Sequence, residues 1–143
     1  MTKVGSVFSL FYSPLNGRMG ISELSFDIKG IIEDKHYDKN IERSVLIASL
    51  DSYKLAESNG IDISHGTLGE NLLLDYNPYE LETGSKIKIG NVVLEISQHC
   101  TLCKSLTKVD TKLPKLLKND RGIFAKVIEP GNIQDGDAVY LLD

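Results

Sequence analysis

Two cysteines, Cys100 and Cys103, stand three positions apart in the stretch Ile96-Ser97-Gln98-His99-Cys100-Thr101-Leu102-Cys103-Lys104. A thiolate can ligate a soft metal, carry a sulfur atom or attack an electrophile. Val92, Leu94 and Ile96 alternate with Val93, Glu95 and Ser97, so the stretch begins as a strand. It then breaks at Cys100-Thr101, and the pattern predicts a short helix from Leu102. That places the Cys103 thiol near a helix N-terminus beside Lys104, and both features favour the thiolate. Cys103 is therefore the prime candidate for a catalytic sulfur or a metal ligand. The competing reading is a buried cysteine that packs as a small hydrophobe. Cys100 is a second ligand, a resolving thiol or a bystander. A C-x-x-C pair also suits a redox dithiol or half of a zinc site. Only His36, His65 and His99 remain to complete such a site, and their spacing matches no familiar zinc pattern.

The second group of candidates is polar. The chain has three arginines, Arg18, Arg43 and Arg121, against thirteen lysines. A guanidinium clamps a phosphate through two parallel bonds. Arg43 and His36 share one loop-and-strand unit, and Arg43 is equally suited to a surface salt bridge. Arg121 equally suits a cap on a helix ending near Lys118. In Gly69-Glu70-Asn71 the glycine permits backbone N–H groups to face a cleft. The Asn71 amide can both donate and accept, toward a ligand or toward its own backbone. Gln98, just before the cysteines, can bond a ligand or a strand neighbour. Glu33 and Asp34 form no evident acid–base pair. Lys108, Lys112, Lys115 and Lys118 make a solvated face or a dock for an acidic partner.

The elements that must position these groups are mostly strands. Val4–Tyr12, Ile21–Ile32 (with a bulge at Gly30), Ser44–Ala48, Leu72–Leu74, Lys86–Ile89, Val92–Ser97, Gly122–Ile128 and Ala138–Leu142 read as strands. Gly90-Asn91 joins two of them in a tight hairpin. Glu129–Asn132 reads as a turn. Leu50–Ser58 is the clearest helix, with Ser49 as N-cap and Asn59-Gly60 as its stop. Thr111–Lys118 is a weaker helix, broken early by Pro114. Many short strands with few helices predict a mostly β barrel. The 143 residues suit one domain, with 41% hydrophobic and 25% charged residues. A net charge of −4 gives no footprint for nucleic acid or an anionic membrane. No apolar run is long enough to span a bilayer, and the N-terminus lacks a signal-peptide pattern. Two closely spaced cysteines form no disulfide framework, so a reducing cytoplasm is the expected location.

Four blocks in order resemble the MOSC domain, named for the C-terminal part of molybdenum cofactor sulfurases. They are Gly66-Thr67-Leu68-Gly69-Glu70-Asn71-Leu72, similar to a G-x-x-GEN-L loop; Gly84–Gly90 followed by Leu94–Gln98 and Cys103; Arg121–Ile128 with Gly131 and Gly136-Asp137; and, upstream, Gly30–His36 with Arg43. The likeness runs from about residue 20 to the C-terminus. Two positions depart from the pattern. Cys100-Thr101-Leu102-Cys103 lacks the usual arginine-x-proline-cysteine, and Ser85 stands where a Gly-Asp pair is usual.

The resemblance implies a free-standing MOSC-type β-barrel that handles the molybdenum cofactor or sulfur bound for metal–sulfur centres. The position of Cys103 then implies a molybdenum ligand or a persulfide carrier. Arg43, His36, Gly69, Glu70, Asn71, Gln98 and Arg121 are implied to hold the molybdopterin-type cofactor. No pyridoxal phosphate is expected in this chain. Reduction of N-hydroxylated compounds, as in some free-standing relatives, would need a partner reductase as electron donor. Sulfur carriage would need a cysteine desulfurase. The rival readings are a non-catalytic cofactor-binding accessory module and a cytoplasmic C-x-x-C redox or zinc protein.

Overall fold

An odd number of strands can close into a ring only if at least one neighbouring pair runs parallel. The computed structural model, which describes residues 1–15, 17–100 and 109–142, meets that condition once. Among the described residues the strands are β1 (Thr2–Tyr12), β2 (Met19–Ile21), β3 (Glu23–Asp27), β4 (Gly30–Ile31), β5 (Val45–Ser49), β6 (Leu72–Leu74), β7 (Lys86–Ile89), β8 (Val92–His99), β9 (Ile123–Glu129), β10 (Gly131–Gln134) and β11 (Ala138–Leu141). Among the same residues two short helices, α1 (Leu50–Ser58) and α2 (Leu113–Leu116), and a 3-10 turn at Ile41–Arg43 join them. Seven strands close a barrel in the order β11-β7-β8-β9-β5-β6-β1, with β1 pairing back onto β11. The one parallel pair is β5–β6, whose connection carries α1. A parallel pair needs such a crossover, because a tight turn cannot return the chain to the same end. The fold class expected from the strand pattern is thus observed. A smaller sheet, β10-β3-β4, lies beside the barrel.

Side chains on a strand alternate between faces, and β5 uses both. Val45 and Ile47 join the main core with Leu72, Leu74, Leu94 and Ile96. Ala48 turns the other way, to a second cluster with Tyr53 and Ala56 of α1 and Leu113 and Leu117 around α2. Leu46 joins neither and packs with Cys100 and Phe124. Helix α1 begins and ends as expected: Ser49 accepts the Asp51 N–H at 3.0 Å, and the chain leaves the helix at Asn59.

Three expectations are corrected. Ile21–Ile32 is not one strand. Asp27 Oδ1 accepts the Lys29 N–H at 2.8 Å, Gly30 takes φ 126°, and the chain folds back as a β3–β4 hairpin. The alternating pattern continued through the turn, where Ile28 is left exposed. Glu129–Asn132 is not a four-residue turn, because β10 already starts at Gly131. A Cβ there would lie 2.8 Å from that of Asn91, so only glycine lets the two segments approach. Pro114 does not break a helix but stands in the first turn of the four-residue α2, where its missing N–H costs nothing.

Strand β1 changes partner from β11 to β6 along its length, and its register shifts between Lys3 and Gly5. Asp75 fixes this point by accepting the Ser6 N–H at 2.7 Å and the Ser6 hydroxyl at 2.8 Å. A Cβ on Gly5 would collide with the Asp75 carboxylate and lie 2.8 Å from the Tyr76 Cβ. Gly5→Ala is therefore expected to cost about 1–3 kcal/mol, the usual range for overpacking. A thermal melt followed by circular dichroism should show a midpoint lower by several degrees, and an unchanged midpoint would refute the clash.

Candidate functional site

The loop between α1 and β6 is rolled around one buried hydroxyl. Tyr53 Oη, projected from α1, accepts the N–H of Gly66 at 2.9 Å and of Leu68 at 3.3 Å. It donates to Glu70 Oε2 at 2.5 Å, and that oxygen also accepts the Gly66 N–H at 3.2 Å. Gly66 takes φ 94° and Gly69 φ 86°, so the chain turns in a region that other residues avoid. The Phe11 ring covers Gly66 so closely that a Cβ would meet it at 3.1 Å.

This arrangement reverses one expectation. The loop N–H groups do not face a cleft. Those of Gly66 and Leu68 go to Tyr53, that of Gly69 to the Gly66 carbonyl, and that of Asn71 to the Leu46 carbonyl. With the donors consumed inward, the carbonyls point out and collect guanidinium groups. Arg18 Nη1 donates to the Glu70 carbonyl at 2.8 Å, and Arg121 Nη2 to that of Leu68 at 3.4 Å. Arg121 thus reaches the loop.

These two arginines line a cleft of about 580 Å³ together with Lys39, Arg43 and His36. All three arginines of the chain meet there, and no carboxylate is among the described lining residues. The cleft is a concentrated positive field on a chain of net charge −4. Its floor is apolar: Leu46 and Phe124 face each other across β5 and β9, with Cys100 beside them. The Arg43 guanidinium stacks 4.6 Å from the centre of the Phe124 ring. Cys100 is buried and held by its N–H on the Gly122 carbonyl at 3.0 Å.

Each expected site residue has a definite place. His36, Arg43, Gly69, Asn71 and Arg121 line the cleft. Asn71 does so with its amide already engaged: Oδ1 accepts the Leu46 N–H at 3.0 Å, and Nδ2 donates to the Phe11 carbonyl at 3.2 Å. It ties β5 to β1 where β6 begins, and does not bond its own backbone. Glu70 is fully buried behind the cleft wall and touches it only through its carbonyl. Gln98 lies exposed on β8 opposite Phe124, outside the lining set. Cys103, with Lys104 and the helix expected from Leu102, lies outside the described residues.

The histidines are separated. His36 Nδ1 is 3.2 Å from Asp34 Oδ2, His65 packs edge-on against Tyr53 and Phe8, and His99 lines a second cleft with Glu80 and Asp120. Among the described residues no group of three or more His, Cys, Asp or Glu side chains could hold a metal ion. No helix among them is long and apolar enough to cross a membrane.

Arg18, Lys39, Asn40, Ser44, Leu46 and Phe124 also line the cleft, without having been singled out from the sequence. The scarcity of arginine was a usable signal for Arg18. Nothing local marks the others, which are brought in by strand pairing and by the 3-10 turn.

Two carboxyls are displaced in opposite directions. Burial pushes Asp34 up, but hydrogen bonds from the His36 side chain and the N–H groups of Ser13 and His36 outweigh it, so it sits below the usual range. Burial pushes Glu70 up, and the donors around it do not compensate. A raised acid holds its proton more tightly when folded, so its burden on stability grows as pH climbs from the unfolded value through the folded one. Glu70→Gln removes this ionisation while leaving an oxygen for Tyr53. The difference in melting temperature, variant minus wild type, should become more positive as pH rises above the ordinary glutamate range. A pH-independent difference would show that Glu70 ionises in the fold as it does in the unfolded chain. Asp34 is common to both proteins and cancels.

A family model described as the MOSC domain matches residues 32–140. A search of curated proteins found no match. Among solved structures, the YuaD protein from Bacillus subtilis superposes with a TM-score of 0.84 at 18% identity, over 96% of this chain and 94% of that one. YiiM from Geobacillus stearothermophilus gives a TM-score of 0.79 at 15% identity, over 97% and 75% of the two chains. YiiM from Escherichia coli gives 0.71 at 19% identity, over 100% and 70%. At these identities the likeness is one of fold. The family match spans most of the barrel, the glycine loop and two of the three cleft arginines, Arg43 and Arg121: the chain belongs to the MOSC domain family.

Proposed function

We propose that the cleft holds an anionic pterin cofactor of the molybdopterin type, and that the adjoining cysteine segment handles its metal or its sulfur. The observation that carries this reading is the meeting of all three arginines in one cleft floored by Leu46 and Phe124. The donor set fits such a group. Guanidinium forks bind a phosphate ester bidentately, and Lys39 adds a point charge. An apolar floor suits one face of a heteroaromatic ring. At Gly69 a Cβ would find only Leu46 Cδ2, at 3.8 Å, so the backbone there is open to close approach. The family match supports the same cofactor class.

When bound, such a cofactor supplies two-electron chemistry at molybdenum. The chain's own part is to bind and orient it. Arg18 and Arg121, held by the carbonyls of Glu70 and Leu68, would grip the anion. Arg43, stacked on Phe124, would close the rim. Cys103 lies three residues beyond Cys100, which itself lines the cleft. As a thiolate Cys103 would ligate the metal or carry sulfur. In carriage it attacks the outer sulfur of a desulfurase persulfide; a new S–S bond forms, the old one breaks, and the donor leaves as a thiolate. Any reductive turnover draws its electrons from a partner reductase.

The test is expression in a host that makes the cofactor, followed by measurement of pterin and molybdenum in the purified protein. Wild type should retain both, and Arg18→Gln and Arg121→Gln should each weaken retention about tenfold, one charge-assisted contact's worth. Wild type emerging without pterin or metal would overturn the cofactor reading. For sulfur, intact mass after incubation with a cysteine desulfurase and cysteine should rise by one sulfur in wild type and not in Cys103→Ser. A rise that survives the substitution would remove Cys103 from the role.

A further inference from the structure

The cations of the cleft fall into two pairs held by different segments. Arg18 and Arg121 are pinned by carbonyls of the glycine loop; Arg121 is buried and Arg18, like Arg43, is half-buried. Lys39 and Arg43 come from the segment that leads through the 3-10 turn into β5; Lys39 is exposed and Arg43 leans on the Phe124 ring. Among the described residues, the ion pairs within 4 Å involve none of Arg18, Lys39 and Arg43. Desolvation lowers the Arg18 pKa, with the buried Glu70 opposing it, and a guanidinium still stays charged. His36 stands beside the outer pair, its ring turned to Asp34.

One phosphate monoester carries about 1.5–2 negative charges at neutral pH, roughly half of what four lining cations would balance. Building four cations into one 580 Å³ cleft costs self-repulsion unless the ligand spreads its charge over both pairs.

We propose that the cleft is built for a ligand with two linked anionic groups, of the organic diphosphate class, one on Arg18 and Arg121 and the other on Lys39 and Arg43. The proposal rests on the cleft being an anion site, as argued above, and adds the second anion. It predicts preference for a diphosphate over a monophosphate, set by the outer pair alone.

The experiment is calorimetric titration of the full chain with inorganic phosphate and with pyrophosphate, each at low and moderate salt. A nucleoside monophosphate and the matching diphosphate then separate a free inorganic ion from an esterified ligand. Pyrophosphate should bind about tenfold tighter than phosphate, as one further charge-assisted contact predicts, and with a steeper loss of affinity in salt. Lys39→Gln/Arg43→Gln, at positions outside the core, should bring the ratio close to one while phosphate binding persists. Arg18→Gln should weaken both ligands together. A wild-type ratio near one with both bound overturns the two-anion proposal and leaves the anion cleft standing. A ratio unchanged by the double substitution overturns the role of the outer pair and the proposal with it. Failure of every anion to bind overturns the cleft reading as well.

Discussion

The buried hydrogen bond from Tyr53 to Glu70 is the constraint on which the site depends. A carboxyl at zero exposure is costly unless its oxygens are met; here Oε2 takes both the tyrosine hydroxyl and the Gly66 N–H, while Oε1 has no hydrogen bond among the described residues. The same hydroxyl shares that Gly66 N–H and accepts the N–H of Leu68 as well. Once those donors are spent, the loop can offer only carbonyls to its outer side. Carbonyls bind cations, and so a loop of the kind often associated with anions becomes a rack for arginines. The arginines in turn present the anion-binding surface, one layer further out.

Barrel closure supplies the second half of the site. Leu46 and Phe124 are opposite one another only because β5 pairs with β9, and both point away from the barrel interior. Asn71 then joins the β5 strand to β1 through its side chain, where the barrel switches from parallel to antiparallel pairing. The apolar floor removes water from beneath the cations, and low polarity beneath a charge strengthens its pull on a ligand above. Stacking on Phe124 holds Arg43 without neutralising it, which a carboxylate partner would do. A protein of net charge −4 can in this way keep a positive cleft.

Much of this was legible in the chain, though with some roles misread. The alternation in Val92–Ser97 and the Gly90-Asn91 turn marked the β7–β8 hairpin, and Ser49 marked the start of α1. The Gly66–Leu72 block located the loop. It did not reveal that Glu70 faces inward or that Asn71 spends its amide on Leu46 and Phe11, because both partners are distant in sequence. The strand pattern at Ile21–Ile32 failed for a local reason. Asp27 bonding its own turn competes with strand extension, and periodicity carries no record of that bond.

By itself the sequence determined the class of fold, the family motifs, and which residue types were available for anion and sulfur chemistry. These follow from local rules: period-two alternation, glycine at positive φ, capping, and the identity of side chains. Only the tertiary structure decided that Arg18, Arg43 and Arg121 share one cleft, and that Gln98 and the Glu70 side chain stand outside it. That decision is made by strand register and by buried hydrogen bonds between residues 17 to 60 positions apart, and no window of sequence contains both ends of such a contact.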